Sequence, residues 1–340
     1  MVYTQDDSRF SSGGFVLSLD LELMWGVYGT HSIDSYGPNI LGVREAVPAL
    51  LDLFDTNGLH ATWATVGMLM FDNRDELLAA LPHRRAQFRN QRDNNYAFID
   101  TVGEDEASDP YHFGLSIVQD IAARSTQELG THTFSHYYCL EEPLDIPAFA
   151  ADIDAAIAAF QRLGMRPRSI VFPRNQVTPG ALDICVARGV DVYRGPGPFR
   201  VDRPAARAQQ SKAQRGLRLA NSYVPLCGSA VVDASWRDGI GNVPASRFLR
   251  PYAGGPTAGA RLQLGLIKRE MQQAAQQNRI FHLWFHPHNF GTHTKENMSV
   301  LSEIVAFSGE LSDTFGWPSL TMSEAADAAK RASAQMSGAA

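Results

Sequence analysis

Two acidic residues follow a short apolar segment near the beginning of the sequence. The segment FVLSLDLE places Asp20 and Glu22 among side chains that a folded protein buries, and acids are rarely buried without a partner. Residues two apart on a strand project to the same side, so both carboxylates can enter one pocket. The pair therefore predicts a ligand and a base in one place. The alternative is that the two acids cap the following turn or pair with an arginine.

Two histidines four positions apart form a second candidate. His132 and His136 lie in the segment GTHTFSH, directly after an apparent strand. On a helical turn this spacing puts both imidazoles on one face, where they can bind one metal ion. Two neutral imidazoles and one carboxylate are a common ligand set, so the spacing predicts a metal site. Two histidines with ordinary structural contacts are the alternative.

A strand of aromatic residues ends in a third group of histidines. In IFHLWFHPHN, alternation puts His282, Trp284 and His286 on one side. His286 is nearest the carboxyl end, and an imidazole with an unperturbed pKa of about 6.5 can protonate a leaving amine. We expect His282 to be buried and hydrogen-bonded, whereas His288 binds substrate or faces water.

An arginine follows another short apolar strand, in the segment VFPRN. The planar guanidinium group can hold a carboxylate in one orientation, so Arg174 is predicted to orient Asp20. An arginine that simply faces solvent after a strand is the alternative.

The elements that must position these residues alternate along the chain. Apolar, β-branched segments predict strands, and apolar residues at helical spacing predict helices between them. The predicted strands cover residues 15–21, 59–66, 169–172, 190–193, 279–286 and 319–322, and the predicted helices cover 41–54, 149–160, 181–188, 263–277 and 296–311. This alternation predicts an α/β fold with a mainly parallel sheet, open or closed as a barrel. Ligands of such folds gather at the carboxyl ends of the strands.

Two long stretches interrupt the alternation. We interpret residues 73–116 and 195–259 as insertions that cover the active-site face. We expect a single domain over residues 1–330 and a disordered tail at 331–340. Aromatic residues in the first insertion suit sugar recognition, although packing against the barrel is an equally good interpretation. The predicted substrate contacts are Trp25, Tyr111, His112 and His288.

Composition and charge exclude several classes of protein. The 340 residues are 44% hydrophobic and carry a formal net charge of −6 without long basic runs, which argues against a nucleic-acid partner. No segment is apolar over the length of a membrane-spanning helix, and the first residues lack a secretion signal. We therefore expect a cytoplasmic protein without an integral membrane segment. The three cysteines show no paired spacing and are expected to be reduced. The oligomeric state is left open.

The order of these features resembles that of the polysaccharide deacetylases, the NodB-homology family within carbohydrate esterase family 4. The resemblance covers residues 15–322 and rests on the acid pair, the two spaced histidines, the strand-end arginine and the strand-end histidine. It implies a distorted (β/α) barrel that binds a divalent metal ion, commonly zinc (Zn2+). The implied roles are metal binding by Glu22, His132 and His136, a base at Asp20 oriented by Arg174, and an acid at His286.

The sequence departs from the family pattern at the acid pair. The family usually has two adjacent aspartates, whereas Leu21 separates Asp20 from Glu22, as in the branches that act on lipid-linked sugars and peptidoglycan. The roles of the two acids can therefore be exchanged. The segment FPRNQ also replaces the usual proline-rich run around the arginine.

These features together imply a metal-dependent hydrolase that removes an N-acetyl or N-formyl group from an amino sugar. Because no secretion signal is visible, the expected substrate is a nucleotide- or lipid-linked precursor of a surface polysaccharide. One alternative is a metal-independent amide or imide hydrolase that acts on a small non-sugar substrate. Another is a sugar-binding protein that has lost turnover.

Overall fold

The computed structural model describes residues 13–255 and 258–338, which form a ten-stranded sheet and ten α-helices. The strands are β1 (Gly14–Leu21), β2 (Ala61–Thr65), β3 (Gln127–Thr131), β4 (Ser169–Ile170), β5 (Val192–Tyr193), β6 (Ser235–Arg237), β7 (Ile240–Asn242), β8 (Arg247–Phe248), β9 (Ile280–Phe285) and β10 (Ser319–Leu320). The helices are α1 (Ile33–Leu41), α2 (Val43–Thr56), α3 (Arg74–Ala79), α4 (Leu115–Ala122), α5 (Ile146–Arg162), α6 (Pro179–Ala187), α7 (Lys212–Asn221), α8 (Ala258–Gln276), α9 (Thr294–Phe315) and α10 (Met322–Gly338).

The sheet has the strand order β6-β7-β5-β4-β3-β2-β1-β9-β8, and β10 pairs with the beginning of β1. All of its described ladders are parallel except that between β6 and β7. The sheet curls into a half-barrel with helices packed against it, which confirms the predicted α/β fold of the distorted (β/α) barrel type.

The central strand β1 is buried along its whole length. Parallel strands covered on both faces are apolar on both sides, which explains the nearly continuous run of hydrophobic residues there. Helix α2 packs one apolar face into the core. The residues of this face, Val47, Leu50, Leu51 and Phe54, are each at most 1% exposed. The strand and the helix together place Asp20 and Glu22 at the carboxyl edge of the sheet.

The two long interrupting stretches contain more regular structure than the sequence indicated. Residues 73–116 include α3 and the start of α4, and residues 195–259 include α7 and the strands β6, β7 and β8. These strands are only two or three residues long, which is too short for a repeating pattern of hydrophobic residues to be recognised in the sequence. The extent of the single domain stays a prediction.

The prediction of a disordered tail is wrong over residues 331–338, because α10 continues to Gly338. Its alanine-rich sequence favours helix, and Ala325 and Ala326 are fully buried in a cluster with Val16 and Val192. Packing of the helix start against the sheet therefore supports the turns that follow. Residues 339 and 340 lie outside the described part of the chain. None of the described helices is long and apolar enough to cross a membrane.

Candidate active site

The carboxyl ends of four parallel strands bring the chemical groups together. Asp20 is the last residue but one of β1, His132 follows β3, Arg194 follows β5 and His286 follows β9. Because these strands run in one direction, their ends lie along one edge of the sheet. The structure therefore gathers at one pocket groups that lie far apart in the sequence.

Glu22, His132 and His136 converge as the sequence predicted. The Oε2 atom of Glu22 lies 3.3 Å from Nε2 of His132 and 3.1 Å from Nε2 of His136, and all three residues are buried. Their ligand atoms lie close enough together to hold one metal ion. One carboxylate and two imidazoles are the donor set of many catalytic zinc sites.

The hydrogen bonds behind His132 show that this group fits a cation. Its Nδ1 atom lies 2.7 Å from the carbonyl oxygen of Val171, so Nδ1 donates a hydrogen bond to that oxygen and Nε2 faces Glu22. A ring nitrogen this close to a buried carboxylate oxygen needs a proton or a cation between the two atoms. Nδ1 of His136 is buried without a hydrogen-bond partner among the described residues.

Electrostatics at Glu22 agree with this arrangement. Burial alone would raise the pKa of the Glu22 carboxyl, but His286 and the hydrogen bonds from His132, His136 and His288 outweigh it and hold the pKa well below its usual value. Glu22 is thus ionised and available as a ligand. A second group of three, Glu22 with His286 and His288, also has the spacing of a metal site, and it shares the same carboxylate.

The two spaced histidines do not lie on a helical turn, so that part of the prediction is wrong. Thr133 and His136 adopt left-handed backbone angles, with φ of 66° and 59°. Left-handed backbone conformations of such residues cost roughly 1–3 kcal/mol each, and they persist only where surrounding contacts hold them. The buried carboxylate of Asp152 on α5 provides this support, because it accepts hydrogen bonds from the backbone N–H of Phe134 at 2.7 Å and from the hydroxyl of Ser135. Burial raises the pKa of Asp152.

Asp20 is held by Arg194, a residue that the sequence analysis missed. The Nη1 and Nη2 atoms of Arg194 donate to the two carboxylate oxygens at 2.7 and 2.8 Å, and Arg194 is 1% exposed. It also donates to the hydroxyl of Ser18 at 3.0 Å. Burial raises the pKa of Asp20, but the charge and hydrogen bonds of Arg194, together with the charges of His132 and His286, outweigh burial and lower it. The signal that could have found Arg194 is its place directly after a short apolar strand.

The prediction that Arg174 orients Asp20 is wrong. Arg174 has a left-handed φ of 52°, and its side chain crosses the ring of Tyr138 toward two other acids. It pairs with Asp93 at 3.0 Å and with Glu141 at 3.3 Å. Arg174 still lines the catalytic pocket.

His286 lies at the mouth of the pocket. Its Nε2 atom is 3.7 Å from Asp20 and 3.7 Å from Glu22, and 21% of its side chain is exposed. Asn289 Nδ2 lies 3.3 Å from Nδ1 of His286, and donation by that amide leaves the ring proton on Nε2, which faces the carboxylates. Burial lowers the pKa of His286 to about 4, so the ring is neutral at neutral pH.

His282 is fully buried and hydrogen-bonded, as the sequence analysis predicted. Its ring contacts the hydroxyl of Ser18 at 2.8 Å and the carbonyl oxygen of Val243 at 3.1 Å. Burial lowers its pKa to about 3, so the ring stays neutral. Because Ser18 also contacts Arg194, His282 supports the residue that holds Asp20.

Two predicted substrate contacts are instead packing residues. Trp25 is fully buried and donates from Nε1 to the carbonyl oxygen of His112 at 2.8 Å. His112 is 2% exposed and lies between Asp109, 2.7 Å away, and the hydroxyl of Tyr28. Both side chains are buried, and neither lines the catalytic cavity.

The other two predicted substrate contacts have different surroundings. Tyr111 is partly buried and packs against the main core. His288 is buried, with Nε2 at 3.0 Å from Glu22 and Nδ1 at 2.9 Å from the hydroxyl of Tyr36. Its geometry makes it a support for Glu22. A substrate contact by Tyr111 stays a prediction.

The pocket itself is a cavity of about 200 Å³. Its walls include Asp20, Glu22, His132, His136, Arg194, Trp284 and His286. Gly26 forms part of the wall, and a Cβ atom there would lie 1.9 Å from the carboxyl carbon of Glu22. A side chain at position 26 would therefore displace Glu22.

The curled parallel sheet with its site at the carboxyl edge is the fold of the polysaccharide deacetylases. A structure described as a polysaccharide deacetylase from Mycobacterium smegmatis superposes with a TM-score of 0.59 at 13% identity, covering 97% of this chain and 94% of that one. One described as a polysaccharide deacetylase from Pseudomonas aeruginosa PAO1 has a TM-score of 0.51 at 13% identity, covering 94% of this chain and 90% of that one.

An allantoinase, PuuE, shares the fold as well. Its TM-score is 0.53 at 11% identity, covering 96% of this chain and 97% of that one. No protein-family model and no curated protein matches the sequence. At these identities the structural likeness establishes the fold, and the activity must be argued from the site.

Proposed function

We propose that the protein is a metal-dependent hydrolase that removes the N-acyl group of an amino sugar. The observation that carries this proposal is the convergence of Glu22, His132 and His136 beside the ion pair of Asp20 and Arg194. A ligand set and a fixed carboxylate in one small cavity are the parts that amide hydrolysis requires. The shared fold of the polysaccharide deacetylases supports the assignment.

The cation that we propose for the three ligands is zinc. When bound, a divalent cation supplies Lewis-acid chemistry, because it stabilises negative charge that develops on the carbonyl oxygen of the substrate. Glu22, His132 and His136 would hold it. Val171 keeps His132 in the required tautomer through the hydrogen bond to Nδ1.

Asp20 and His286 take part in the proton transfers of the proposed reaction. Asp20 accepts a proton from the attacking water as the new C–O bond forms, and Arg194 holds the carboxylate in place. The same proton passes from Asp20 to the amine nitrogen as the C–N bond breaks, and Nε2–H of His286, 3.7 Å from Asp20, donates a hydrogen bond to the departing group. One proton therefore serves both transfers, and the ring of His286 stays neutral. The products are a free amine and acetate, or formate for a formyl group.

A second candidate function is hydrolysis of an amide in a small non-sugar substrate. The likeness to the fold of an allantoinase favours this candidate. The buried ligand set favours a metal-dependent reaction, since buried histidines that face a carboxylate are difficult to explain otherwise. A sugar-binding protein without turnover is the third possibility. The nucleotide or lipid carrier of the sugar, the cytoplasmic location and the role in surface polysaccharide synthesis stay predictions.

The test is an assay of N-acetyl and N-formyl amino sugars and of allantoin, with detection of released acetate, formate and amine. Metal content is measured on protein purified without a histidine tag. We expect acyl release that a chelator abolishes and zinc restores. Asp20→Asn should lower kcat by about 10²–10⁴-fold, the usual effect of removing a general base.

The outcomes separate the candidates. Turnover of allantoin without turnover of any sugar would favour the second function. An Asp20→Asn variant as active as the wild type would refute Asp20 as the base, and absence of both metal binding and turnover would refute the enzyme.

A further inference from the structure

A larger cavity opens beside the catalytic pocket. It has a volume of about 350 Å³, and the two cavities share Arg174, Asn175, Trp284 and His286 in their walls. A substrate that places its amide at His286 would therefore extend into this second space. Most of its remaining wall comes from the stretch 195–259.

Five arginines line this cavity, which we call the arginine pocket: Arg174, Arg203, Arg218, Arg247 and Arg250. Of the wall residues in the described chain, only Asp202 is acidic. Burial raises the pKa of Asp202, although the charges of Arg218 and Arg247 act in the opposite direction. The pocket therefore has an excess of positive charge.

Two of the five arginines are neutralised by neighbouring acids. Arg247 pairs with the buried carboxylate of Glu270 at 2.7 and 2.8 Å. Arg174 pairs with Asp93 and Glu141. The positive charges of these two side chains are balanced by the acids, so the two side chains mainly form part of the pocket wall.

The other three arginines lack such partners. Across residues 13–255 and 258–338, no carboxylate lies within 4.0 Å of Arg203, Arg218 or Arg250. Arg218 donates to Gln210 at 3.0 Å and Arg250 to Ser222 at 3.0 Å, both uncharged groups. Burial and the charge of Arg218 lower the pKa of Arg250, which shows that the positive charges crowd each other.

Aromatic rings form the wall between the arginines and the catalytic pocket. Phe248 and Trp284 pack with their ring centroids 4.7 Å apart, and Phe248 lies 5.7 Å from His286. Apolar ring faces suit the apolar face of a sugar. The order along the cavity is thus the catalytic histidine, then aromatic rings, then arginines that no carboxylate contacts.

We propose that the arginine pocket binds a phosphate group of the substrate, so that the preferred substrate is a phosphorylated N-acyl amino sugar. This inference rests on the proposed function for its sugar part. Guanidinium groups match the oxygens of a phosphate with paired hydrogen bonds. Three arginines that no carboxylate contacts exceed what one carboxylate needs, whereas a phosphate or diphosphate offers enough negative charge and enough acceptor oxygens.

The first experiment measures binding without catalysis. Calorimetric titration of the metal-free wild type with pyrophosphate should show saturable binding. The double variant Arg218→Gln/Arg250→Gln should bind about tenfold more weakly or worse, and Arg203→Gln should show a smaller loss. Arg215→Gln is the matched control, since Arg215 lies on α7 as Arg218 does but is exposed and outside the pocket. Unchanged thermal midpoints would exclude misfolding.

The second experiment measures selectivity. The ratio of kcat/KM for N-acetylglucosamine 1-phosphate to that for N-acetylglucosamine should exceed one and fall about tenfold in the double variant. A nucleotide-diphosphate sugar and a short prenyl-diphosphate sugar as further substrates identify the source of the phosphate.

Failure of this inference can be distinguished from failure of the proposed function. No pyrophosphate binding by the wild type, or equal binding by the double variant, would overturn the phosphate site even if acyl groups are released. Absence of acyl release from every sugar, with phosphate binding retained, would instead refute the proposed function alone.

Discussion

Asp20 and Arg194 form the buried ion pair on which the proposed proton transfer depends. Both side chains are nearly inaccessible, and each oxygen of the carboxylate receives one N–H of the guanidinium. Such pairs contribute little net stability, but removing one partner leaves a buried charge without compensation. A substitution in this pair is therefore expected to change both the position of the catalytic carboxylate and the free energy of unfolding.

Replacement of Arg194 tests this coupling. Arg194→Gln should lower the free energy of unfolding by ~3–5 kcal/mol, measured by chemical denaturation, because Asp20 loses its partner. Arg174→Gln is the control and should cost less, since Asp93 keeps Arg207 at 3.7 Å. Equal losses in the two variants would contradict the role of Arg194.

A second prediction concerns the room that Gly26 leaves for Glu22. In Gly26→Ala the new methyl group would overlap the carboxyl group of Glu22, so we expect the affinity for zinc to fall by ~10–100-fold. Competition with a chromophoric chelator measures this affinity. Gly309→Ala is the control, because a Cβ atom there meets nothing within 4 Å. Wild-type zinc affinity in Gly26→Ala would remove Glu22 from the ligand set.

At the scale of elements, α10 is attached to the sheet by an ion pair as well as by its buried alanines. His60, just before β2, lies 2.8 Å from Glu324 on α10. The hydrogen bond with Glu324 raises the pKa of His60 above 6.5. Burial raises the pKa of Glu324, but the hydrogen bond with His60, the hydrogen bonds with Thr321 and the charge of His60 together outweigh it and lower the pKa below 4.5.

This pair predicts a pH dependence of stability. The raised pKa of His60 means that its contribution is complete below pH 6.5 and is lost as the pH rises through the higher pKa of the folded state. The lowered pKa of Glu324 means that its contribution is lost as the pH falls below 4.5. Wild type and His60→Gln should therefore differ most in unfolding free energy between these two values. Denaturation across this range measures the difference, and its persistence at alkaline pH would refute the pair.

At the scale of the whole molecule, charge is distributed unevenly. The formal net charge is −6, yet beside the catalytic pocket lie three arginines that no carboxylate of the described residues contacts. A local field of this kind attracts anionic ligands even to an acidic protein. Net charge alone therefore does not exclude a phosphorylated substrate.

Metal binding should also stabilise the whole fold, because Glu22 lies far along the chain from His132 and His136 and the folded chain brings them together. Zinc at one hundred times its Kd should raise the free energy of unfolding by ~2.7 kcal/mol, and a chelator should reverse the effect. Thermal unfolding with and without zinc measures this shift. His132→Gln should abolish it, whereas His83→Gln, at an exposed histidine, should retain it. A zinc-induced shift of equal size in His132→Gln would place the metal elsewhere.

Much of the fold could be predicted from the sequence, because strands and helices each have a characteristic local pattern of hydrophobic residues. The strand that contains Asp20 and the strand that precedes His286 can be located because each is a long apolar run. The strands β6, β7 and β8 were missed because two or three residues cannot establish a period. The end of α10 was misinterpreted because small residues suit both a helix and a disordered tail.

The sequence by itself determined which residues are able to do chemistry: an acid pair at a strand end, two spaced histidines and a strand-end histidine. Only the tertiary structure decided their partners. Arg194 rather than Arg174 holds Asp20, and Trp25 and His112 pack against each other instead of facing a substrate. The physical reason is distance along the chain: Asp20 and Arg194 are 174 residues apart, and a contact of that kind depends on how the whole sheet brings its strand ends together.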